Sequence, residues 1–75
     1  MVHVDVPKVR GKMAERGYTI TSLASALGIS RATLSNYLEE PDKIPYLVIS
    51  SMAKLLCDSP KEASDIFFAT DLRNT

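Results

Sequence analysis

An all-α fold of five short helices, with a helix-turn-helix at its centre, is what this 75-residue sequence predicts. Three observations carry the prediction. Apolar residues recur at helical spacing in five separate stretches. Each stretch opens on a capping residue or a proline, the usual helix start signals. Within Thr19–Leu38, Gly28 breaks the pattern between two amphipathic segments, where a glycine can turn left-handed without a Cβ clash.

The elements follow in chain order. Met1–Val6 reads as a frayed or extended arm. Pro7 suits a first helical turn, where its missing N–H costs nothing. Helix 1 spans about 7–16, with Val9 and Met13 one turn apart toward the core and Gly17 just past its end. Gly11 lies inside it, where a glycine is weakening unless close packing requires it. Thr19 caps helix 2 (about 20–27), whose inward residues are Leu23 and Leu27, with the small Ala24 where a crossing helix comes closest. Gly28 is the break and Ile29 an apolar plug. Ser30 caps helix 3 (about 31–38), which turns Leu34, Tyr37 and Leu38 inward. The loop Glu39–Pro45 holds two prolines and four charges and ends the helix. Helix 4 (about 45–56) carries Val48, Ile49, Met52, Leu55 and Leu56 at helical spacing. Ser59-Pro60-Lys61-Glu62 is a capping box that opens helix 5 (about 60–69). The tail Asp71–Thr75 is expected to fray.

Composition bounds the function. The length allows one small domain, and 45% hydrophobic content is ample for a core. Cys57 is the single cysteine, so no internal disulfide forms, as expected in a reducing cytoplasm. It reads as a small buried residue at a helix end. No apolar run approaches the roughly 20 residues of a membrane span, and the N-terminus lacks a signal pattern. The expectation is a cytoplasmic protein with no membrane partner. His3 has no ligand partners nearby, no nucleophile stands beside a histidine, and no carboxylate pair lies in a predicted cleft, so neither an enzyme, a metal nor a cofactor is implied.

Net charge is zero, but the halves differ. Residues 1–37 hold five cations against two carboxylates (net +3), and residues 38–75 hold four against seven (net −3). From Ile20 to Leu38 there is no acidic residue. A surface that meets phosphates excludes carboxylates, and this stretch does. The basic stripe Lys8, Lys12 and Arg16 reads as a solvated face.

Leu23-Ala24, Gly28-Ile29-Ser30, Leu34, and Pro45 ahead of a fourth helix resemble the Cro/phage-repressor (XRE-type) family over nearly the whole chain. The resemblance implies a five-helix, lambda-repressor-like DNA-binding domain, and a short regulator of phage lysis–lysogeny type. It implies that helix 3 enters the major groove of double-stranded operator DNA, with Ser30, Arg31, Ala32, Thr33 and Asn36 near the bases. The chemistry agrees: Arg31 suits guanine O6 and N7, Asn36 suits adenine, and the Ala32 or Thr33 methyl suits thymine. Ser35 also faces outward. Thr19, Thr21 and Ser22 open helix 2, where backbone N–H groups suit a phosphate, and Lys43 suits the backbone too.

Three departures from the family pattern involve six positions. Ile20 stands where a phosphate-holding glutamine is common. Met13 and Leu38 stand where a buried Arg–Glu pair often ties helix 1 to helix 3, so both partners are apolar together and a packed helix 1–helix 3 contact is expected. Glu39, Glu40 and Asp42 follow helix 3 where glycine and basic residues are common. These departures motivate an alternative: a phage modulator or antirepressor that binds a repressor protein. Ile66, Phe67 and Phe68 are consecutive and point about 100° apart, so one core stripe does not easily take all three: either helix 5 is sandwiched or one aromatic is left exposed. Together with Tyr46 they are candidates for a partner or homodimer interface.

Overall fold

The computed structural model describes residues 2–70. Among these, five α-helices surround one core: α1 (Val6–Glu15), α2 (Ile20–Leu27), α3 (Arg31–Glu39), α4 (Tyr46–Leu56) and α5 (Pro60–Phe67). A 3₁₀ turn (Pro41–Lys43) joins α3 to α4. The expected tail, residues 71–75, lies outside the described residues.

Local chemistry sets the ends. The amide of Lys8 donates to the Asp5 carboxylate at the start of α1 (3.2 Å). Thr19 and Ser22 cap α2 reciprocally: each backbone N–H donates to the other's hydroxyl, at 2.9 and 3.0 Å. Ser59 accepts the Glu62 amide and opens α5. Two helices end on left-handed glycines, Gly17 after α1 and Gly28 after α2, with φ of 75° and 74°. In each case the next residue's N–H returns to a carbonyl five residues back, Tyr18 to Met13 and Ile29 to Ala24. That bond closes the turn and satisfies a carbonyl the helix end leaves open.

Every helix gives the core two buried apolar side chains: Val9 and Met13, Leu23 and Ala24, Leu34 and Leu38, Met52 and Leu56, Ile66 and Phe67. Val4 and Ile44 complete it from outside the helices. Met13 and Leu38 share this core, as an all-apolar pair must. The packed helix 1–helix 3 contact, however, is not the main one: α1 lies chiefly on α4 and α5, while α3 lies on α2.

Of the two alternatives for the N-terminal arm the extended one holds, and the structure departs from expectation at helix 5, at Glu39 and at Gly11. The N-terminal arm is tied down: Val2–His3 (β1) pairs antiparallel with Ala69–Thr70 (β2), and the Asp5 N–H donates to the Ile66 carbonyl at 2.7 Å. The same pairing shortens helix 5. It ends at Phe67, because residues 69–70 find extended backbone partners in the arm. Helix 3 runs one residue further, so Glu39 belongs to it rather than to the loop. Gly11 meets nothing within 4 Å of where a Cβ would stand, so close packing does not explain it. Gly11→Ala therefore fills no occupied space and removes backbone freedom from the unfolded chain. It is expected to stabilise the domain by about 1 kcal/mol, read as a higher urea midpoint at unchanged slope.

Candidate nucleic-acid interface

The α2–turn–α3 unit holds the candidate site. Leu23 and Ala24 of α2 and Leu34 and Leu38 of α3 face inward, which fixes how each helix is rotated. On α3 this leaves Arg31, Ala32, Ser35, Asn36 and Glu39 exposed, with Thr33 half-buried at the edge. On α2, Thr21, Ser22, Ser25 and Ala26 are exposed. The surface is made of small, hydroxyl and amide residues with one cation, Arg31, at the start of α3 and one carboxylate, Glu39, at its end.

The expected site residues differ in how free they are. Thr19 and Ser22 have their hydroxyls in the α2 cap, leaving the Ile20 and Thr21 amides as the first-turn donors without an acceptor among the described residues. The Ser30 hydroxyl accepts the Thr33 amide at 3.0 Å and donates to the Thr33 hydroxyl at 2.8 Å, so the two side chains close on each other. Lys43 lies 3.0 Å from Glu40, at the opposite end of α3 from Arg31. Arg31, Ser35 and Asn36 have no side-chain partner among the described residues.

The proposed interface residues separate. Ile66 and Phe67 are buried, at 4% and 1% exposure, and do not form a surface. Consecutive residues can both be buried here because α5 is sandwiched, with α1 on one side and α4 on another. Phe68 stays 39% exposed and Tyr46 69%. They line an open groove of about 340 Å³ between α4 and α5, floored by Ala53, Cys57 and Ala63. Leu47, at 78% exposure, is an apolar surface residue that sequence reasoning missed. Its signal was there: it falls outside the Val48, Ile49, Met52, Leu55, Leu56 stripe.

The basic stripe of α1 is not simply a solvated face. Lys12 lies 2.8 Å from Glu62 and is only 18% exposed. Arg16 is ion-paired with Asp58, and Lys8 with Asp5 at 3.9 Å. Glu62 also accepts the Asp58 amide at 3.3 Å. The N-terminal half's positive surplus is thus largely neutralised by Asp58, in the turn between α4 and α5, and by Glu62, in the first turn of α5. These pairs move the titrations. The Arg16 hydrogen bond and charge hold the Asp58 carboxyl below its ordinary 3.8. The Lys12 hydrogen bond holds Glu62 below its ordinary 4.5. Their partners Lys12 and Arg16 are raised by the same bonds. Burial, with Glu62 adding, pushes the Cys57 thiol up, so it stays protonated and weakly nucleophilic.

The sign for stability follows from the depressed carboxylates. Their contribution is complete above the ordinary values of 4.5 and 3.8 and is lost as pH falls through the lower native values. The raised cations contribute fully below 10.5 and lose their part only above it. Thermal midpoints are therefore expected to fall on acidification below about pH 4.5. In the double variant Lys12→Met, Glu62→Gln the acid fall should be shallower; an unchanged acid limb would show that this pair carries none of it.

Comparison with known protein families decides the class. The family model for the Cro/C1-type helix-turn-helix DNA-binding domain matches residues 8–62. The chain belongs to that family. The match covers all of α2 and α3 and runs to the Glu62 that anchors Lys12. Searches of curated proteins and of solved structures returned no match. A Cro/C1-type domain supports DNA binding, and among the described residues no helix is long and apolar enough to cross a membrane.

Proposed function

We propose that this Cro/C1-type domain is a transcriptional regulator that binds operator DNA through α3. The observation that carries the reading is the outward face of α3: Arg31, Ala32, Ser35 and Asn36 exposed, without a carboxylate between Ile20 and Leu38. The open amides of Ile20 and Thr21, with Thr19, Ser22 and Ser30 shaping the caps, suit a phosphate on either side of the groove. Lys43 is a weaker contact because Glu40 holds it. A homodimer on a two-fold operator completes the reading, with Tyr46, Phe68 and Leu47 as the contact surface we assign to it. The setting in phage or prophage regulation rests on the family resemblance alone.

Titration of labelled duplex from the chain's own regulatory region tests this. Saturable, salt-sensitive binding that Arg31→Ala and Asn36→Ala both weaken supports it. Binding indifferent to both substitutions overturns it. A second reading, a modulator that docks on a repressor protein, is favoured by one feature: three carboxylates, Glu39, Glu40 and Asp42, follow Leu38 in the sequence, and α4 opens on exposed Tyr46 and Leu47. Co-purification with the neighbouring repressor, without operator binding, would select it.

A further inference from the structure

Resting on the homodimer proposed above, we infer that two copies of the chain pair α4 against α4 in antiparallel fashion. Tyr46 and Phe68 of each copy then fill the open end of the α4–α5 groove of the other.

The groove is uneven along its length. On α4 it is lined by Tyr46, Ser50, Ala53 and Cys57, one stripe at helical spacing. Tyr46 stands at the first turn, and only small side chains follow it. The other wall is α5, which opens at Pro60, close after Cys57, and is followed by Phe68. Phe68 lines this groove with Tyr46, and also a neighbouring depression with Asp42 and Ile44, just ahead of α4. Both aromatic side chains therefore belong to one end. At the other end Ala53, Cys57 and Ala63 leave much of the 340 Å³ open.

A surface with a projecting end and a receiving end matches itself only when the second copy is turned through a two-fold axis. Parallel pairing would set aromatic on aromatic and leave both open ends empty. Antiparallel pairing with Ser50 and Ser51 on the axis seats Tyr46 opposite the interval between Ala53 and Cys57. The short serine side chains let the two helices approach there. The same register lays Leu47 over the aliphatic stem of Lys54 in the other copy. All three exposed large apolar side chains among the described residues, Tyr46, Leu47 and Phe68, are covered at once. Charge agrees. Lys54 lines the receiving end and Asp42 flanks the aromatic end; both are exposed, and neither has an ion pair among the described residues. Antiparallel pairing moves each toward its opposite in the other copy, whereas parallel pairing sets like beside like. Asp58, also at the receiving end, is already held by Arg16.

Sedimentation of the full chain without DNA, combined with cysteine cross-linking, tests this geometry. A concentration-dependent dimer is expected. Ser50→Cys in a Cys57→Ser background should be linked across the axis by copper–phenanthroline oxidation. Native Cys57 should not be, since it would stand about 20 Å from its copy at 1.5 Å per residue. Tyr46→Ser removes the projection and Ala63→Leu fills the opening. Each should raise the dimer dissociation constant about tenfold or more, with helical circular dichroism unchanged. A dimer that Ser50→Cys does not link and Tyr46→Ser does not weaken overturns the geometry and leaves the homodimer standing. A chain that stays monomeric while binding operator, or while holding the neighbouring repressor, overturns both. A linked dimer that binds no operator supports the geometry and removes the DNA-reading function instead.

Discussion

Phe67→Ala is expected to leave the domain largely unfolded without denaturant, with loss of helical circular dichroism and no cooperative urea transition. Phe67 is among the largest fully buried side chains, and it sits at the last turn of α5 in the same core as Val4 and Ile44, with Ile49 packed against it. Truncating a buried phenylalanine costs about 3–5 kcal/mol through lost burial and the cavity left behind. A single core in a domain of this size supplies roughly the same amount. The effect extends beyond the cavity, because the end of α5 also holds the N-terminal arm through the Asp5 N–H on the Ile66 carbonyl. Phe67→Leu keeps most of the volume and should remain folded with a reduced midpoint. A cooperative transition in Phe67→Ala within a few degrees of the parent would mean that α5 is not part of the folding unit.

That residue also marks the limit of what was legible from the sequence. The helix-turn-helix was readable because its demands are local. A glycine at positive φ, a hydroxyl at a cap and leucines one turn apart depend on neighbours within five residues. The outward face of α3 followed from the same periodicity. Ile66 and Phe67 are not interface residues: periodicity leaves open whether helix 5 is sandwiched or exposes an aromatic, and only the tertiary fold, with α1 and α4 both on α5, buries these two and leaves Phe68 outside. Helix 5 ends earlier than the sequence pattern predicts because nothing near Ala69 indicates that its backbone partner is His3, at the other end of the chain. The pairing of Lys12 with Glu62 and Arg16 with Asp58 was likewise hidden: each joins residues more than forty positions apart. Counting charges by halves therefore found a positive half that the fold largely neutralises.

The neutralisation has a measurable consequence for DNA binding. Plots of log affinity against log salt are expected to be shallow, with a slope of about −1 to −2 per protomer, since each neutralised phosphate contributes roughly −0.9. Arg31 is the one cation on the exposed α2–α3 surface, and Lys43 is held by Glu40 at 3.0 Å. Backbone amides at the starts of α2 and α3, the proposed phosphate contacts, would carry no full charge to displace counterions. Arg31→Ala, at a residue assigned to a guanine edge and not to a phosphate, should weaken binding with the slope little changed. Glu40→Gln should act in the opposite direction, because it removes a carboxylate beside the phosphates and frees Lys43 to meet one. It is expected to tighten binding at low salt and steepen the slope by about one unit, with sequence preference unchanged, since neither residue reads a base edge. A parent slope of −5 or steeper would mean that Lys12 and Arg16 leave Glu62 and Asp58 for phosphate on binding, and in that case Glu62→Gln would tighten binding as well.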